Sequence, residues 1–202
     1  MQLEYWFPTT IGIHYVSDEC RESTQQKINE WMESGKHLDY APNYKGENLN
    51  TSYHNHHDTL GDLNLIELKH EILQCASDYT KQMGKDSGPE SFKVDSWINF
   101  FHPEQCEHQH NHYGNYLSIV YYVTGPKKSG TYKFFDCTPQ RVIWRGEYLK
   151  NSQPSIHTIN DGGYEPEPGK MIIFPSWLEH SVTGNQSNDI RISIANNVNF
   201  IK

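Results

Sequence analysis

The C-terminal half of this chain consists of short runs rich in β-branched and aromatic residues, and this pattern constrains the fold more than any other feature. Gly, Pro and Asn interrupt the runs at short intervals, as in antiparallel sandwiches and barrels. The runs predict strands over residues 92–101, 116–124, 130–135, 170–174 and 191–199. The predicted fold class is therefore α+β but mainly β.

The residues before position 90 follow a helical pattern instead. Ser17 is a suitable N-cap for a helix over 17–34, because acidic residues fill its first turn and a glycine follows its end. A second helix is predicted over 63–83, with one broad apolar face. That face consists of Leu65, Ile66, Leu68, Ile72, Leu73 and Ala76. Residues 36–60 lack periodicity and are predicted to form a packed polar loop.

A length of 202 residues suits one domain with a sizeable core. We predict a single domain over 1–202, in which a helical layer over 1–90 packs on one sheet of a β-core over 91–202. No run has the length and apolar character of a membrane-spanning helix, and the first residues do not resemble a signal peptide. Four widely separated cysteines form no Cys-x-x-Cys pair, which favours reduced thiols and a cytoplasmic location.

Two features of the composition indicate function: the net charge of the chain and the clustering of its histidines. A net charge of −8 argues against generic binding to nucleic acid, since affinity for phosphates depends on clustered Lys and Arg. The unusual feature is that many of the 12 histidines lie in clusters. A cluster of histidines is either a solvated polar loop or a set of metal ligands.

Three histidines at alternate positions, His108, His110 and His112, come just before a predicted strand. In an extended chain all three project to one side, and two of them could chelate one metal ion. His180 stands at the edge of a later predicted strand. Two close ligands and one distant ligand can occupy one face of an octahedral ion and leave the other face open, as in non-heme iron oxygenases.

The order of these elements resembles the 2-oxoglutarate/Fe(II)-dependent oxygenases. Arg191 follows His180 by eleven positions and begins the sequence Arg-Ile-Ser. This is similar to the Arg-x-Ser motif that binds the far carboxylate of 2-oxoglutarate in that superfamily. The chain resembles in particular a branch of oxygenases from phages and bacteria. The similar motifs are the paired histidines, a Tyr-Tyr strand, Phe-Pro-Ser-x-x-x-His and Arg-Ile-Ser, over 97–197, and an early Phe-Pro-Thr at 7–9.

The resemblance implies a set of metal ligands. His110 and His112 match the paired ligands and His180 matches the distal one, with His108 and His110 as the competing pair. The common triad has Asp or Glu where this chain has His112, and an imidazole brings no negative charge to the ion. Asp136 is a nearby carboxylate, although its position at a strand end is more typical of a turn residue.

The resemblance also implies a set of residues for the cosubstrate. Arg191 and Ser193 match the Arg-x-Ser motif, and Tyr122 matches a tyrosine that hydrogen-bonds the same carboxylate in prolyl hydroxylases. A guanidinium is a rigid fork that fits a carboxylate, and a phenol hydroxyl completes its hydrogen bonding in a dry pocket. Asn99 could face the cosubstrate as well.

The fold that the resemblance implies is a double-stranded β-helix, which is jelly-roll or cupin-like. The implied activity is that of a dioxygenase that uses Fe(II), 2-oxoglutarate and O2, hydroxylates an unidentified small-molecule or peptide substrate and releases succinate and CO2. One alternative is a three-histidine cupin-type dioxygenase without 2-oxoglutarate, and another is a non-catalytic binding module. The first alternative has no obvious use for a carboxylate clamp at Arg191 and Tyr122.

Two further stretches have alternative interpretations. The irregular region 136–169 is predicted to be either a surface excursion or a lid over the site. Its aromatic and basic residues are Arg141, Trp144, Arg145 and Tyr148. The histidine-rich stretch 53–58 is predicted to be a polar loop before a helix rather than a second metal site, because no distant partner accompanies it.

Overall fold

A computed structural model of the protein describes residues 8–43, 48–136 and 161–201. Within these ranges ten strands form two antiparallel sheets, and four α-helices precede the third strand. The elements in chain order are β1 (Gly12–Tyr15), α1 (Asp18–Glu33), α2 (His37–Tyr40), β2 (Asn50–Thr51), α3 (Thr59–Asp62), α4 (Ile66–Gln82), β3 (Phe92–Phe101), β4 (Glu107–His110), β5 (Leu117–Tyr122), β6 (Tyr132–Phe135), β7 (Asp161–Tyr164), β8 (Lys170–Pro175), β9 (His180–Val182) and β10 (Arg191–Phe200). The predicted mainly-β architecture is confirmed.

The two sheets share one chain that passes repeatedly between them. The larger sheet has the strand order β1-β8-β5-β10-β3-β2, and the smaller sheet has the order β4-β9-β6-β7. From β3 to β6 the chain alternates between the sheets, and it does so again from β7 to β10. Residues at the ends of several strands are therefore brought to the space between the sheets.

The helices cover the outer face of the larger sheet. Ser17 caps α1 as predicted, since its Oγ accepts a hydrogen bond from the backbone N–H of Cys20 at 3.3 Å. Helix α4 packs on β3 and β8, and α1 packs against α4. The buried residues of this layer include Ile28, Leu68, Ile72, Ala76, Ile98, Ile119 and Ile194. Among the described residues, no helix is long and apolar enough to cross a membrane.

The second predicted helix is interrupted near its start. Asn64 has a φ of 52°, and the N–H of Leu65 donates to the carbonyl oxygen of Leu60 at 2.8 Å. These are the features of a Schellman motif, which ends a helix, so α3 stops there and α4 begins as a separate element. Ile66 consequently lies at the first turn of α4 and is 46% exposed, although it was predicted on the buried face.

The region before residue 90 is less purely helical than predicted. Strand β1 pairs with β8 and β2 pairs with β3, so both become edge strands of the larger sheet. The stretch 36–60, predicted to be a loop, also contains α2. These elements are two to four residues long, too short for a periodic pattern to reveal them.

A second apolar cluster fills part of the space between the two sheets. Its buried members are Leu49, Phe101, Val120, Tyr122, Tyr132, Phe134, Ile172, Phe174, Leu178 and Val182. Strand β5 is buried along its whole length, because the helices cover one of its faces and the smaller sheet covers the other. Polar side chains line the remaining space between the sheets.

We predict that Ile72→Ala destabilises the protein by about 2–5 kcal/mol, because it removes a fully buried side chain and leaves a cavity. The matched control is Ile66→Ala in the same helix, whose side chain is largely exposed, and it should cost no more than about 0.5 kcal/mol. Urea unfolding followed by circular dichroism measures both changes. Equal losses for the two variants would contradict the packing described for α4.

Candidate metal centre

Antiparallel pairing of β4 with β9 brings two histidines together. His110 at the end of β4 lies opposite His180 at the start of β9, and their ring centroids are 4.3 Å apart. His112 follows the end of β4, and its backbone N–H donates to the carbonyl oxygen of Ser176 at 2.9 Å. One ligand atom from each of the three histidines lies within 4.8 Å of the others. This group could hold one metal ion.

A β-bulge in β4 decides which histidines belong to this group. The register against β9 shifts between Glu107 and His110, so both of these residues face the interior. The bulge breaks the usual alternation, and His108 is exposed. The expectation that His108, His110 and His112 all project to one side is therefore wrong, and the structure does not support the pair His108 and His110.

Two of the three imidazoles are oriented by backbone carbonyls. Nδ1 of His110 is 2.7 Å from the carbonyl oxygen of His108, and Nδ1 of His180 is 2.9 Å from that of Leu178. A carbonyl oxygen only accepts hydrogen bonds, so each Nδ1 must carry the proton. The lone pair on each Nε2 is then free to bind a metal ion.

Burial keeps two of the imidazoles, those of His112 and His180, in the form that binds metals. It lowers the pKa of His112 to about 4 and that of His180 to about 3, and the charge of His110 adds to the effect at both. Both rings are therefore neutral near pH 7, with a lone pair available. No proton has to be displaced from them before an ion binds.

A buried cation lies deeper between the sheets. Arg191, at the start of β10, is only 1% exposed, and its guanidinium carbon is 3.9 Å from the ring centroid of Phe101. Its Nη1 donates to the carbonyl oxygens of Ser129 and Gly130, both at 3.3 Å. Burial lowers the pKa of Arg191 to about 10, so the guanidinium stays charged near neutral pH.

Two buried polar atoms of the predicted cosubstrate residues lack partners in the part of the chain that the structure describes. They are Nε of Arg191 and the hydroxyl of Tyr122, a side chain that is fully buried. The charge of Arg191 acts on Tyr122, whose pKa burial nevertheless raises well above its usual range. Leaving a buried charge and a buried hydroxyl without partners is costly, so this position fits an acidic ligand such as a carboxylate.

The strand register places the remaining predicted residues in one row. Ser193 lies between Asn99 on β3 and Tyr122 on β5, so the three side chains share the interior face of the larger sheet. Asn99 and Ser193 line the same cavity as the histidines. The Oδ1 of Asn99 accepts a hydrogen bond from Oγ1 of Thr51 at 2.6 Å.

A cleft of about 370 Å³ opens beside His110 and His112. Its walls are polar and aromatic, and they include Tyr53, His54, Trp97, Asn111 and Tyr113. A larger cavity of about 610 Å³ lies on the outer side between α1 and α4, away from the histidines. The smaller cleft is therefore the one with access to the candidate metal centre.

Sequence analysis missed three residues of this site. Trp97 lies against His112, and its alternation with Asn99 on β3 could have revealed it. Tyr132 stacks on His180 at 5.3 Å between centroids, with ring planes 11° apart. The sequence does not tell which face of β6 meets the histidines, nor that a bulge turns Glu107 inward.

The other candidate residues have different positions. Asp136 is not part of the group of metal ligands. Within the described residues the stretch 53–58 forms no second group of ligands, and as predicted it leads into a helix, with Asp58 as the N-cap of α3. Residue 7 and most of the predicted lid, residues 137–160, lie outside the described residues.

A family described as "Putative 2OG-Fe(II) oxygenase" matches residues 95–197, just over half of the chain. The matched region contains the three histidines, Arg191 and Tyr122. No curated protein matches the chain.

Several solved structures share the fold. A prolyl-4-hydroxylase from Pseudomonas putida is 10% identical with a TM-score of 0.63, over 96% of this chain and 94% of that one. HygX from Streptomyces hygroscopicus, with nickel and 2-oxoglutarate bound, is 10% identical with a TM-score of 0.58, over 95% of this chain and 83% of that one. SnoK, a non-heme alpha ketoglutarate dependent carbocyclase from nogalamycin biosynthesis, is 11% identical with a TM-score of 0.59, over 94% of this chain and 79% of that one. These likenesses confirm the predicted double-stranded β-helix.

We predict that His110→Ala abolishes stoichiometric binding of Fe(II), because two imidazoles cannot replace the three-nitrogen face. His108→Ala is the matched control, and it should bind Fe(II) as tightly as the unaltered chain, since His108 contributes its backbone carbonyl rather than its ring. Anaerobic dialysis followed by metal analysis measures both. Loss of iron from the His108 variant alone would show that the bulge is misassigned.

Proposed function

The chain belongs to the 2OG-Fe(II) oxygenase family, and on that premise we propose that His110, His112 and His180 bind its iron while Arg191 and Tyr122 bind its 2-oxoglutarate. Iron is thus the cofactor, and 2-oxoglutarate and O2 are the co-substrates. The three nitrogens would hold the ion and leave coordination positions for the co-substrates.

The observation that carries this assignment is that two buried atoms, Nε of Arg191 and the hydroxyl of Tyr122, have no partner among the described residues. A carboxylate has two oxygens that accept hydrogen bonds. It also carries the negative charge that balances a buried guanidinium. The far carboxylate of 2-oxoglutarate supplies this group. A cupin-type enzyme that binds its substrate directly to the metal would have no use for such a clamp.

Ser193 and Asn99 complete the proposed cosubstrate pocket. Both side chains lie in the same cross-strand row as Tyr122, and both line the cavity that contains the histidines. Their polar groups suit the edge of a bound dicarboxylate. The bond from Thr51 orients the amide of Asn99, because it occupies the amide oxygen.

When bound, iron and 2-oxoglutarate would convert O2 into an oxidant for an unactivated C–H bond, with release of succinate and CO2. The chain's own contribution is to hold His110 and His112 beside the cleft lined by Tyr53 and Trp97, where a substrate has room. We propose hydroxylation as the outcome, which the shared fold of the prolyl-4-hydroxylase supports. A product that gains one oxygen atom from isotope-labelled dioxygen would support it, and an unlabelled product would count against it.

The first test is anaerobic reconstitution of the whole chain with Fe(II), followed by titration with 2-oxoglutarate. We expect a weak visible charge-transfer band to grow with 2-oxoglutarate, and succinate to form once air is admitted. Iron binding without the band would favour the cupin-type alternative. Both iron and 2-oxoglutarate binding without any succinate would favour a non-catalytic module.

The second test removes the clamp. We predict that Arg191→Leu weakens 2-oxoglutarate binding by about 100-fold and leaves iron binding unchanged, because it removes charge-assisted bonds worth about 1.5–3 kcal/mol each. Tyr122→Phe should cost about tenfold through the loss of one neutral hydrogen bond. Arg21→Leu, on the outer surface of α1, is the control and should change neither. Normal 2-oxoglutarate affinity in the Arg191 variant would refute the clamp.

A further inference from the structure

His112 differs from the other two histidines in how its ring is held. The rings of His110 and His180 are each tied to a backbone carbonyl two residues earlier. The ring of His112 makes no hydrogen bond to any described residue, although its backbone N–H is bonded to Ser176. The backbone position of His112 is thus fixed, and among the described residues packing alone limits the rotation of its ring.

That packing comes from two flat neighbours. The His112 ring centroid is 5.4 Å from that of Trp97, with planes 30° apart, and 5.1 Å from that of His180, with planes 3° apart. Trp97 is only 6% exposed, and Tyr53 contacts it edge-on at 5.1 Å. The indole is therefore itself held firmly on β3, and it limits how the imidazole can turn.

We propose that Trp97 is a positioning residue of the metal centre, which holds the imidazole of His112 in the plane that directs its nitrogen toward His110 and His180. The inference rests on the proposed role of these histidines in binding iron. Trp97 contributes no ligand atom, and it acts only through His112.

The chemistry of the third ligand explains why such a neighbour is needed. A carboxylate has two equivalent oxygens and can still reach an ion after rotating about its last bond. An imidazole at the same position has a single suitable nitrogen, directed along one line in the ring plane. Where His112 replaces the common carboxylate, the ring plane becomes critical, and a stacked aromatic residue can set it.

The test is anaerobic titration of the whole chain with Fe(II) alone, because Trp97 also lines the cleft and activity would mix two effects. We expect Trp97→Leu to weaken Fe(II) binding by at least about tenfold, the usual effect of removing a residue that orients a ligand. Trp97→Phe keeps a flat face and should restore most of the affinity. Trp31→Leu is the matched control, since this indole packs against Phe100 on the outer side of the sheet, and it should leave Fe(II) affinity unchanged.

A double-mutant cycle separates positioning from general damage. If Trp97 acts through the imidazole of His112, then Trp97→Leu should weaken Fe(II) binding much less in a His112→Asp background, where a carboxylate supplies the third ligand. An equal loss in both backgrounds would overturn the proposal, and so would unchanged affinity in the single variant. Should Trp97→Leu fail to fold, Trp97→Met takes its place, because its unbranched chain fills space without a flat face.

The unaltered chain distinguishes this proposal from the function on which it rests. If the unaltered chain binds Fe(II) and 2-oxoglutarate but the Trp97 variants bind both equally well, only the positioning role fails. If the unaltered chain binds no Fe(II), the proposed metal centre fails and the positioning role with it.

Discussion

The pairing of β4 with β9 is the interaction on which the candidate site depends. It places the last residue of one strand, His110, opposite the first residue of the other, His180, so the two rings meet within a sheet rather than on loops. Ligands on paired strands are held near their working positions before an ion arrives. His112 lies beyond the paired region, and there the bond to Ser176 and the contact with Trp97 replace the sheet ladder.

The burial of Arg191 is a second constraint on the site. Removing a charge from water costs several kcal/mol unless the charge is paired, and the lowered pKa of Arg191 reflects that penalty. Two backbone carbonyls and the ring of Phe101 offset part of the cost. Folding has already desolvated the guanidinium and the hydroxyl of Tyr122. A carboxylate that binds there meets a prearranged pocket, so the desolvation and ordering of these two groups no longer reduce its affinity.

The parts of this structure that sequence could predict are those with long, regular patterns. Strand β3 has the predicted bounds and β10 differs by one residue, since both contain ten residues rich in aromatic and β-branched side chains. Strand β4 reads Glu-His-Gln-His, which has no such pattern, and its bulge depends on a partner far along the chain. The spacing of the histidines and Arg191, with the family resemblance, identified the candidate ligands. The inward turn of Glu107 depends on the register between β4 and β9, and the contact of Trp97 with His112 depends on tertiary packing. Neither register nor packing can be read from one sequence.

The bulge also bears on the charge of the site. Three imidazoles bring no negative charge to a divalent ion, so the surrounding groups matter more for its retention than around a triad with a carboxylate. By turning Glu107 inward, the bulge puts a carboxylate in the cavity wall. Its charge adds to burial in raising the pKa of Tyr132, and it counteracts the lowering of the Arg191 pKa by burial. One irregularity in β4 therefore both excludes His108 from the metal group and places an acidic side chain in the wall of the cavity that the ligands share.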